Sequence, residues 1–210
     1  RTGDMLGLSD NCSAAEGAEV PENCRPSIGH DWEIRIIPGP QPTAEYLKPE
    51  YLHTLTTSVY EVNYDSARTG IRLNGPIPEW SREDGGEAGL HPSNIHDNAY
   101  SVGALDLTGD QTIILGPDGP SLGGFVCSAV TAKSDQWKLG RLHAGDHVRF
   151  RLITLGQAEY LRREEKRAIG LKGSYPDSIP AGPVPDASYA ILKKGTAAET
   201  EIMIRLSGED

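Results

Sequence analysis

A cluster of hydrogen-bonding side chains lies near the middle of the chain, in the run HPSNIHDN at 91–98. Asn94, His96, Asp97 and Asn98 together offer both donors and acceptors within a few positions, and His91 adds a second imidazole. A neutral amide needs donors and acceptors at fixed angles. The cluster therefore predicts a site that holds a small polar molecule.

The charge around this cluster limits which ligands fit it. From Gly85 to Ala132 the sequence contains no lysine or arginine. A phosphate-binding site would need cations, so a neutral or cationic ligand is favoured over a phosphate. The acidic residues between those limits are Glu87, Asp97, Asp106, Asp110 and Asp118.

Two other interpretations of the cluster stay open. Asn, Asp, His and Pro also fill ordinary turns, where their side chains satisfy the backbone. A metal site is disfavoured, because His91 and His96 are five positions apart rather than the four that stack two ligands on one helical face. No HExxH motif occurs either. The sequence predicts no metal.

A glycine-rich run, GPDGPSLGG at 116–124, follows an apolar segment. It lacks the Gly-Lys-Ser/Thr ending of a phosphate-binding loop. Gly119, Ser121 and Gly123 match the G-x-S-x-G pattern of a hydrolase nucleophile elbow, but a β-rich run follows instead of the helix that this motif requires. The run is then either a tight turn between strands or a loop whose N–H groups, as far as Gly124, face a ligand.

The remaining pattern predicts a mainly β chain with a few short helices. Gly and Pro are frequent, at 24 and 15 residues, which favours a loop-rich β domain. Many short strands with few helices indicate a closed or nearly closed β-barrel. Strands are predicted at 32–37, 59–64, 69–74, 101–108, 111–115, 125–133 and 147–154. Helices are predicted at 44–55 with Thr43 as N-cap, at 134–140 with Ser134 as N-cap, and from Leu155 or Gly156 to about Gly170.

The composition argues against several classes of protein. The formal net charge is −10, which disfavours a nucleic-acid partner. The sequence contains no apolar stretch of about 18 residues, so no membrane span is predicted. The first residues lack the pattern of a secretion signal. The three cysteines form no pairing framework, and Cys127 in its apolar run is expected to be a small buried residue. A cytoplasmic location is therefore predicted.

Several segments resemble one enzyme family. The runs TGIRLNGPIPEW, GGEAGLHPSNIHDNAY, DGPSLGGFVC and KLGRLHAGDHVRF, preceded by WEIRIIPGPQ, are similar to the carboxyltransferase domain of the urea carboxylases. The likeness runs from about Trp32 to Arg151, within the half that resembles subunit 2 of the bacterial allophanate-hydrolase-like or 5-oxoprolinase-like pair. It implies a cyclophilin-like β-barrel over 31–172. The end of a preceding domain and a linker would occupy 1–30, and a Pro-rich linker with the start of a next segment would occupy 173–210.

The resemblance also implies a reaction. In this family a biotin carboxylase domain carboxylates biotin with ATP and bicarbonate, and the carboxyltransferase domain passes the carboxyl group to urea, which gives allophanate. In fungi this carboxylase is fused to an allophanate hydrolase. The expected cofactors are biotin carried on another domain, and ATP and Mg used by another domain. The expected partners are urea, carboxybiotin and the other domains of the same polypeptide, including the subunit-1-like half.

The resemblance gives each polar residue of the cluster a possible role. Urea nitrogen is a weak nucleophile, so its carbonyl oxygen must be polarised and an N–H proton accepted. Asp97 or Asp118 would accept that proton or hold an N–H edge, and His96 is the third catalytic candidate. The candidate substrate-binding residues are His91, Asn94, Asn98, Ser121, Gly123 and Gly124.

Two other functions stay open. One is a related transferase or hydrolase that acts on another small amide, as the 5-oxoprolinase-like and allophanate-hydrolase-like relatives do. The other is a non-catalytic barrel that scaffolds its neighbours. The sequence has no biotinylation-type Met-Lys-Met, no glycine-rich ATP loop with a lysine and no Ser-Ser-Lys amidase signature. These activities would belong to other domains, and the chain alone is expected to be inactive or nearly so.

Overall fold

The protein is described by a computed structural model that covers residues 25–171, the isolated positions Met5, Glu19 and Glu22, and side chains of the last helix as far as Arg167. The strand end predicted at 1–8, most of the linker predicted at 9–30 and the segments predicted at 173–210 lie outside the described residues. The domain boundaries at 30 and 172 therefore stay predictions. In the described part, no helix is both long and apolar enough to cross a membrane.

The described chain alternates mainly between short strands and turns. All seven predicted strands are present, and one more, β4, lies in the stretch 75–99, where the sequence has no clear period. The strands are β1 (Asp31–Pro38), β2 (Tyr60–Val62), β3 (Gly70–Asn74), β4 (Asn94–Ala99), β5 (Ala104–Thr108), β6 (Gln111–Leu115), β7 (Leu122–Thr131) and β8 (His147–Leu152). The helices are α1 (Tyr51–Thr57), α2 (Gln136–Leu139) and α3 (Leu155–Leu171), with 3-10 turns at Glu87–Gly89 and Lys133–Asp135.

Seven of these strands close into a barrel. Neighbours pair in the order β1-β8-β2-β3-β6-β5-β7, and β7 pairs again with β1 to complete the ring. β1 and β8 run parallel, from Asp31 opposite His147 to Ile36 opposite Leu152. β4 lies outside the ring, on the first half of β7. The mainly β barrel predicted from the sequence is confirmed.

Side chains from alternate strand positions fill the barrel interior, as expected for a small closed sheet. In β1 the buried apolar positions Trp32, Ile34 and Ile36 alternate along the strand. Tyr60 of β2 and Phe150 of β8 meet edge to face across the core, with ring centroids 5.4 Å apart. The alternation that predicted these strands is therefore the pattern that fills the barrel.

A β-bulge lies at the centre of β7. Leu105 of β5 is opposite Ala129, but the next residue, Asp106, is opposite Cys127, so Ser128 is the extra residue on β7. A bulge bends its strand and leaves one residue without a partner in the ladder. Another segment of the chain must therefore satisfy the backbone at this point.

The segment that follows β1 satisfies the bulge. The Gly39 N–H donates to the Ser128 oxygen at 3.0 Å, and the Gln41 N–H donates to the Cys127 oxygen at 3.1 Å. The Gln41 side-chain oxygen accepts the Cys127 N–H at 3.0 Å, and the Ser128 hydroxyl lies 3.0 Å from the Tyr51 hydroxyl. The PGPQ run after β1 and Tyr51 of α1 thus both contact the middle of β7.

The first helix begins later than predicted, so the assignment of Thr43 as an N-cap for 44–55 is wrong. The Thr43 carbonyl only accepts the N–H groups of Tyr46 and Leu47, both at 3.0 Å, in a single turn. α1 starts at Tyr51. Pro49 explains the delay, because it lacks an N–H and restricts the residue before it.

The prediction that Ser134 caps a helix is also wrong. Ser134 lies inside the 3-10 turn and is fully buried. The buried Asp135 carboxylate fixes this turn by accepting the Arg35 N–H at 2.8 Å, Arg35 Nε at 3.0 Å and Lys138 Nζ at 3.1 Å. A buried carboxylate needs such donors, so the ion pair takes the anchoring role expected of the serine hydroxyl.

The last helix, α3, begins at Leu155 as predicted. The Thr154 N–H donates to the Gln157 side-chain oxygen at 2.9 Å, and the Gln157 N–H donates to the Thr154 hydroxyl at 3.2 Å. This reciprocal pair is a capping box. Leu161 packs with Ile153 in a small cluster apart from the barrel interior.

A buried carboxylate ties the start of β1 to the turn before β8. Asp146 accepts the His143 N–H at 2.9 Å and Trp32 Nε1 at 3.0 Å, and it lies 2.7 Å from His30 Nδ1. Burial alone would raise the pKa of Asp146, but the hydrogen bonds from these three groups lower it below its ordinary value. The folded protein therefore favours the ionised carboxylate.

We expect Gly39→Ala to destabilise the protein by about 1–3 kcal/mol, since a new methyl in a tightly packed site forces backbone shifts. A Cβ at Gly39 would lie 2.5 Å from the Cys127 oxygen and 2.8 Å from the Ala129 nitrogen. Gly29→Ala is the control, because nothing lies within 4 Å of its Cβ. Urea or guanidinium unfolding measures the free energy of unfolding of both variants. Equal values for the two would show that position 39 accepts a Cβ without strain.

We expect Asp146→Asn to lower the free energy of unfolding by about 1–3 kcal/mol at pH 7, because buried donors lose their charged acceptor. The pKa of Asp146 is lower in the folded state, so its contribution is present above the unfolded pKa of about 3.9 and is lost as pH falls through the folded pKa. The gap between wild type and variant should close below about pH 4. Thermal unfolding from pH 3 to 8 tests this, with the exposed Asp65→Asn as control.

Candidate functional site

The loop before β4 is anchored to the barrel through Ser93. This residue is fully buried, its hydroxyl accepts the Gly109 N–H at 3.1 Å, and its carbonyl accepts the Val126 N–H at 3.0 Å. The loop is thus tied to both the β5–β6 turn and β7. The segment HPSN is therefore partly structural, as one of the open interpretations proposed.

His91 takes part in the same anchor. Its Nδ1 lies 2.9 Å from the Ser93 hydroxyl, its Nε2 lies 3.3 Å from the Asp110 carboxylate, and its ring meets Trp80 edge to face at 5.5 Å. The order Asp–His–Ser resembles a nucleophilic triad. Ser93 cannot serve as its nucleophile, because it is inaccessible and its oxygen already accepts a backbone N–H. Whether His91 also binds substrate stays a prediction.

An arginine from outside the cation-free stretch reaches the start of β4. Arg82 donates from Nη1 to the Asn94 carbonyl at 2.9 Å, and its guanidinium lies 4.6 Å from the centre of the Tyr46 ring. Both Asn94 and Asn98 are half-buried. The backbone carbonyl of Asn94 accepts from Arg82, whereas the Asn98 side chain donates to the neighbouring Ala99 carbonyl at 3.2 Å. The two asparagines therefore lie on one short strand with different surroundings.

A large irregularity in β4 separates these two asparagines. Asn94 lies opposite Phe125 and Asn98 lies opposite Gly123, so four steps along β4 match two steps along β7. The extra residues fall among the three between them, Ile95, His96 and Asp97, of which His96 and Asp97 are exposed. Bulges occur often beside active sites, where they redirect side chains. The structure thus leaves His96 and Asp97 exposed to solvent on this irregular part of β4.

His96 is oriented by a carboxylate from the preceding loop. Its Nε2 lies 3.3 Å from Glu87 Oε1, and its side chain is 90% exposed. Glu87 opens a tight turn in which Ala88 has a φ of 56°. A non-glycine residue in this region is uncommon and is often found at functional sites. The turn places the Glu87 carboxylate beside His96.

Tyr100 directly follows β4 and connects the bulge to β7. Its hydroxyl donates to the Phe125 carbonyl and accepts the Phe125 N–H, both at 2.7 Å. Burial raises the pKa of Tyr100, and the negative charges of Asp106 and Asp97 contribute to the shift. Both carboxylates therefore lie close enough to the phenol to affect its ionisation.

Asp118 lies apart from the bulge, in the loop between β6 and β7. Arg68 holds its carboxylate with two hydrogen bonds, from Nε at 2.6 Å and from Nη2 at 3.0 Å. The Arg68 hydrogen bonds lower the pKa of the Asp118 carboxyl. Arg68 is a second cation that approaches this region from outside the cation-free stretch. The absence of Lys and Arg along 85–132 therefore does not mean that the folded site is free of cations.

The backbone of the glycine-rich run is largely satisfied within the protein. The N–H groups of Gly116, Asp118 and Gly119 donate to the carbonyls of Thr69, Arg68 and Gly116, at 3.1–3.2 Å. These three groups form a turn, as the tight-turn interpretation expected. Roles for Ser121, Gly123 and Gly124 in substrate binding stay predictions.

Gly123 and Gly124 lie in β7 next to β4, and Ser121 lies just before β7. The Ser121 carbonyl accepts the Tyr100 N–H at 2.9 Å. A Cβ at Gly123 would lie 2.7 Å from the Tyr100 ring, and one at Gly124 would lie 2.9 Å from the Ile95 carbonyl oxygen. The glycines thus let Tyr100 and β4 pack directly on the backbone of β7.

Asp106 is an unusual group that the sequence did not single out as a site residue. It is 4% exposed on the outer wall of β5, and its Oδ1 has no hydrogen-bond partner among the described residues. Burial raises the pKa of Asp106 to about 6, opposed by the hydrogen bond from Thr108. One acidic residue in the apolar run ALDL is a weak signal, because an outward strand position is normally solvated.

The chemistry of Cys127 agrees with its predicted role. The thiol is 2% exposed, and burial, with the charge of Asp106, raises its pKa to about 12. A neutral buried thiol is inert, so the prediction of a small buried residue is confirmed. Among the described residues, no three His, Cys, Asp or Glu side chains are grouped so that they could hold a metal ion.

The comparisons with known proteins agree on one family. The family model described as "Carboxyltransferase domain, subdomain A and B" matches residues 1–152. A urea amidolyase of Lachancea kluyveri is 44% identical over 158 residues, which cover 74% of this chain and 9% of that protein. A urea amidolyase of Saccharomyces cerevisiae is 40% identical over 175 residues, which cover 80% of this chain and 10% of that protein.

A solved structure shows the same fold. The crystal structure of the Kluyveromyces lactis urea carboxylase superposes with a TM-score of 0.71 at 40% identity, covering 84% of this chain and 16% of that one. The chain thus spans 9–10% of the length of the two curated relatives above. The barrel, its outer strand β4 and the redirected His96–Asp97 pair all lie within the matched residues, and the chain belongs to the carboxyltransferase family of subdomains A and B.

Proposed function

We propose that this chain is part of the carboxyltransferase component of a biotin-dependent urea carboxylase, which transfers a carboxyl group to urea and forms allophanate. The observation that carries the proposal is the bulge in β4, which presents His96 and Asp97 to solvent beside Gly123 and Gly124. The urea carboxylase and urea amidolyase relatives supply the substrate class.

Urea requires specific help before it can react. Its nitrogen lone pair is delocalised into the carbonyl, so a donor at the carbonyl oxygen and a base at the N–H both lower the barrier. His96 and Asp97 are adjacent residues on one bulge and offer these two kinds of group. Their exposure leaves room for a small amide to approach.

Asp97 is assigned as the base that accepts the urea N–H proton, and His96 as the donor to the urea carbonyl oxygen. In the imidazolium form of His96, Nε2–H faces the Glu87 carboxylate at 3.3 Å, and Nδ1–H on the other side of the ring is the donor to the urea oxygen. As the urea nitrogen bonds to the carboxyl carbon, the Asp97 carboxylate accepts the departing N–H proton. Carboxybiotin would supply the carboxyl carbon, and the electron pair of its broken C–N bond would stay with the biotin nitrogen.

Carboxybiotin, held on a carrier domain, would supply the carboxyl group. Tyr100 and the Ile95 carbonyl already fill the space that side chains at Gly123 and Gly124 would take, so a ureido ring would meet the exposed residues beside these glycines. Asn98 lies opposite Gly123 and carries both a donor and an acceptor for a ureido edge. These residues bind and orient, and they hold no covalent cofactor.

We assign Asp118 to the loop rather than to the chemistry. Arg68 engages both carboxylate oxygens and lowers the carboxyl pKa, which makes Asp118 a weak base. This choice favours Asp97 between the two carboxylates that the sequence offered. Asp118 still contributes by fixing the turn that leads into β7.

The remaining steps would belong to other domains of a longer polypeptide. ATP and Mg would act in a biotin carboxylase domain, and the subunit-1-like half would complete the carboxyltransferase, so the isolated chain should show little turnover. A cytoplasmic setting is supported by the free, buried Cys127. These assignments rest on the resemblance to the urea carboxylases.

We expect Asp97→Asn and His96→Gln each to lower urea-stimulated ATP turnover about 100-fold or more in the complete enzyme, the usual scale for a lost acid or base. Biotin-dependent background ATPase is recorded on the same samples and should survive, because it needs no urea. Asp118→Asn should cost much less. Asp65→Asn, an exposed carboxylate in the β2–β3 turn, is the matched control.

The outcomes separate the competing functions. Loss of urea stimulation with intact background supports the acceptor site at the bulge. Unchanged stimulation in both bulge variants would place the site elsewhere and would leave β4 a structural element. Turnover with another small amide, such as 5-oxoproline, but not with urea would favour the amide-processing relatives.

A further inference from the structure

Asp106 occupies a position that is unfavourable for a carboxylate. It is 4% exposed, Oδ1 has no hydrogen-bond partner among the described residues, and Oδ2 has only the Thr108 hydroxyl at 3.3 Å. An unsatisfied buried group costs stability and calls for an explanation. A group that destabilises the fold but sits beside a site is a candidate for a functional role.

Within the described part of the chain, no cation contributes to the pKa of Asp106 or compensates its charge. Cys127 lies directly opposite on β7, Ile113 lies opposite on β6, and Tyr100 packs against the same outer-wall cluster. Among the described residues, the titratable groups close enough to interact electrostatically with Asp106 are the Cys127 thiol and the Tyr100 phenol, and Asp97 acts on Tyr100 as well. An ionised Asp106 can be relieved only by water or by movement of these neighbours.

Tyr100 is the neighbour that determines the shape of the bulge. Its backbone N–H pairs with Ser121 at 2.9 Å, beyond one end of the bulge. Its hydroxyl reaches back along β7 to the N–H and carbonyl of Phe125, the residue opposite Asn94 at the other end. One side chain thus spans the segment that carries His96 and Asp97.

We propose that Tyr100 is a positioning residue that fixes the bulge bearing His96 and Asp97, and that the buried carboxyl of Asp106 beside it controls how firmly the bulge is held. Tyr100 and Asp106 together form a clamp on the bulge. The link to urea turnover rests on the proposed function, but the link to the bulge does not. When Asp106 is protonated, its burial costs little and Tyr100 stays seated on Gly123. When Asp106 is ionised, hydration of the carboxylate competes with this packing.

The sign of the effect follows from the carboxyl. The pKa of Asp106 rises to about 6 on folding, from an unfolded value of about 3.9. Stability is therefore lost as pH rises from about 4 to 6, and the full penalty is present above pH 6. Asp106→Asn should raise Tm above pH 6, with a gap that vanishes below about pH 4.

Hydrogen–deuterium exchange of the 210-residue chain at pH 5 and pH 7 tests the clamp directly. After correction for intrinsic rates, amides of 94–100 should exchange faster at pH 7 in wild type, and Asp106→Asn should remove this difference. Tyr100→Phe keeps the ring but loses both Phe125 contacts, so these amides should exchange about 10-fold faster at both pH values. Tyr64→Phe, at an 82% exposed tyrosine, is the control.

Three results would overturn the proposal. The first is a bulge whose exchange is the same in Tyr100→Phe as in wild type. The second is a pH step that persists in Asp106→Asn, which would assign the step to another group. A global Tm loss in Tyr100→Phe, with β4 exchanging no faster than the barrel strands, would equally exclude a local clamp.

Urea turnover by the complete enzyme then separates the clamp from the proposed function. Tyr100→Phe should lower kcat for urea about 10- to 100-fold with little change in KM, because misplaced groups lose rate rather than binding. The wild-type pH profile should carry a step near pH 6 that Asp106→Asn removes. Faster exchange at β4 with unchanged urea turnover would support the clamp and overturn the urea site at the bulge.

Discussion

The pairing of one long strand with three others is the constraint on which the rest of the structure depends. β7 pairs with β4 along its first half, with β5 through its centre and with β1 at its end. Both of its longer ladders are irregular, once at Ser128 and once opposite His96 and Asp97. The same strand therefore closes the barrel and supports the candidate site, so barrel packing and site geometry are coupled.

Much of the barrel could be predicted from the sequence because its strands alternate or form apolar runs between turn residues. β4 could not, since its inward and outward positions change at the bulge and Asn and Asp are poor strand formers. The Thr43 and Ser134 caps failed because Pro49 and the Arg35–Asp135 ion pair acted instead. Such contacts join distant residues, which local patterns do not report.

The candidate site shows the same division. The polar types and spacing of His96 and Asp97 were visible in the sequence, and the structure adds that both are exposed on an irregular part of β4. The sequence could not show that Arg68 forms an ion pair with Asp118, or that Arg82 reaches the Asn94 carbonyl from outside the cation-free stretch. The apolar run around Asp106 was only a weak sign of its burial, because burial of an outward strand position depends on what packs over it, here the cluster of Cys127 and Tyr100.

Closure of the barrel has a consequence for the order in which the chain can fold. The contact between Trp32 and Asp146 joins residues 114 positions apart, and among the described strands β1 pairs with β7 and β8. At about 5–20 residues per second, a ribosome needs on the order of ten seconds to supply those partners. Throughout that interval the apolar residues of WEIRII lack both of these strands. The barrel is thus a non-local fold of a kind that forms slowly, and β1 is open to aggregation while its partners are being synthesised.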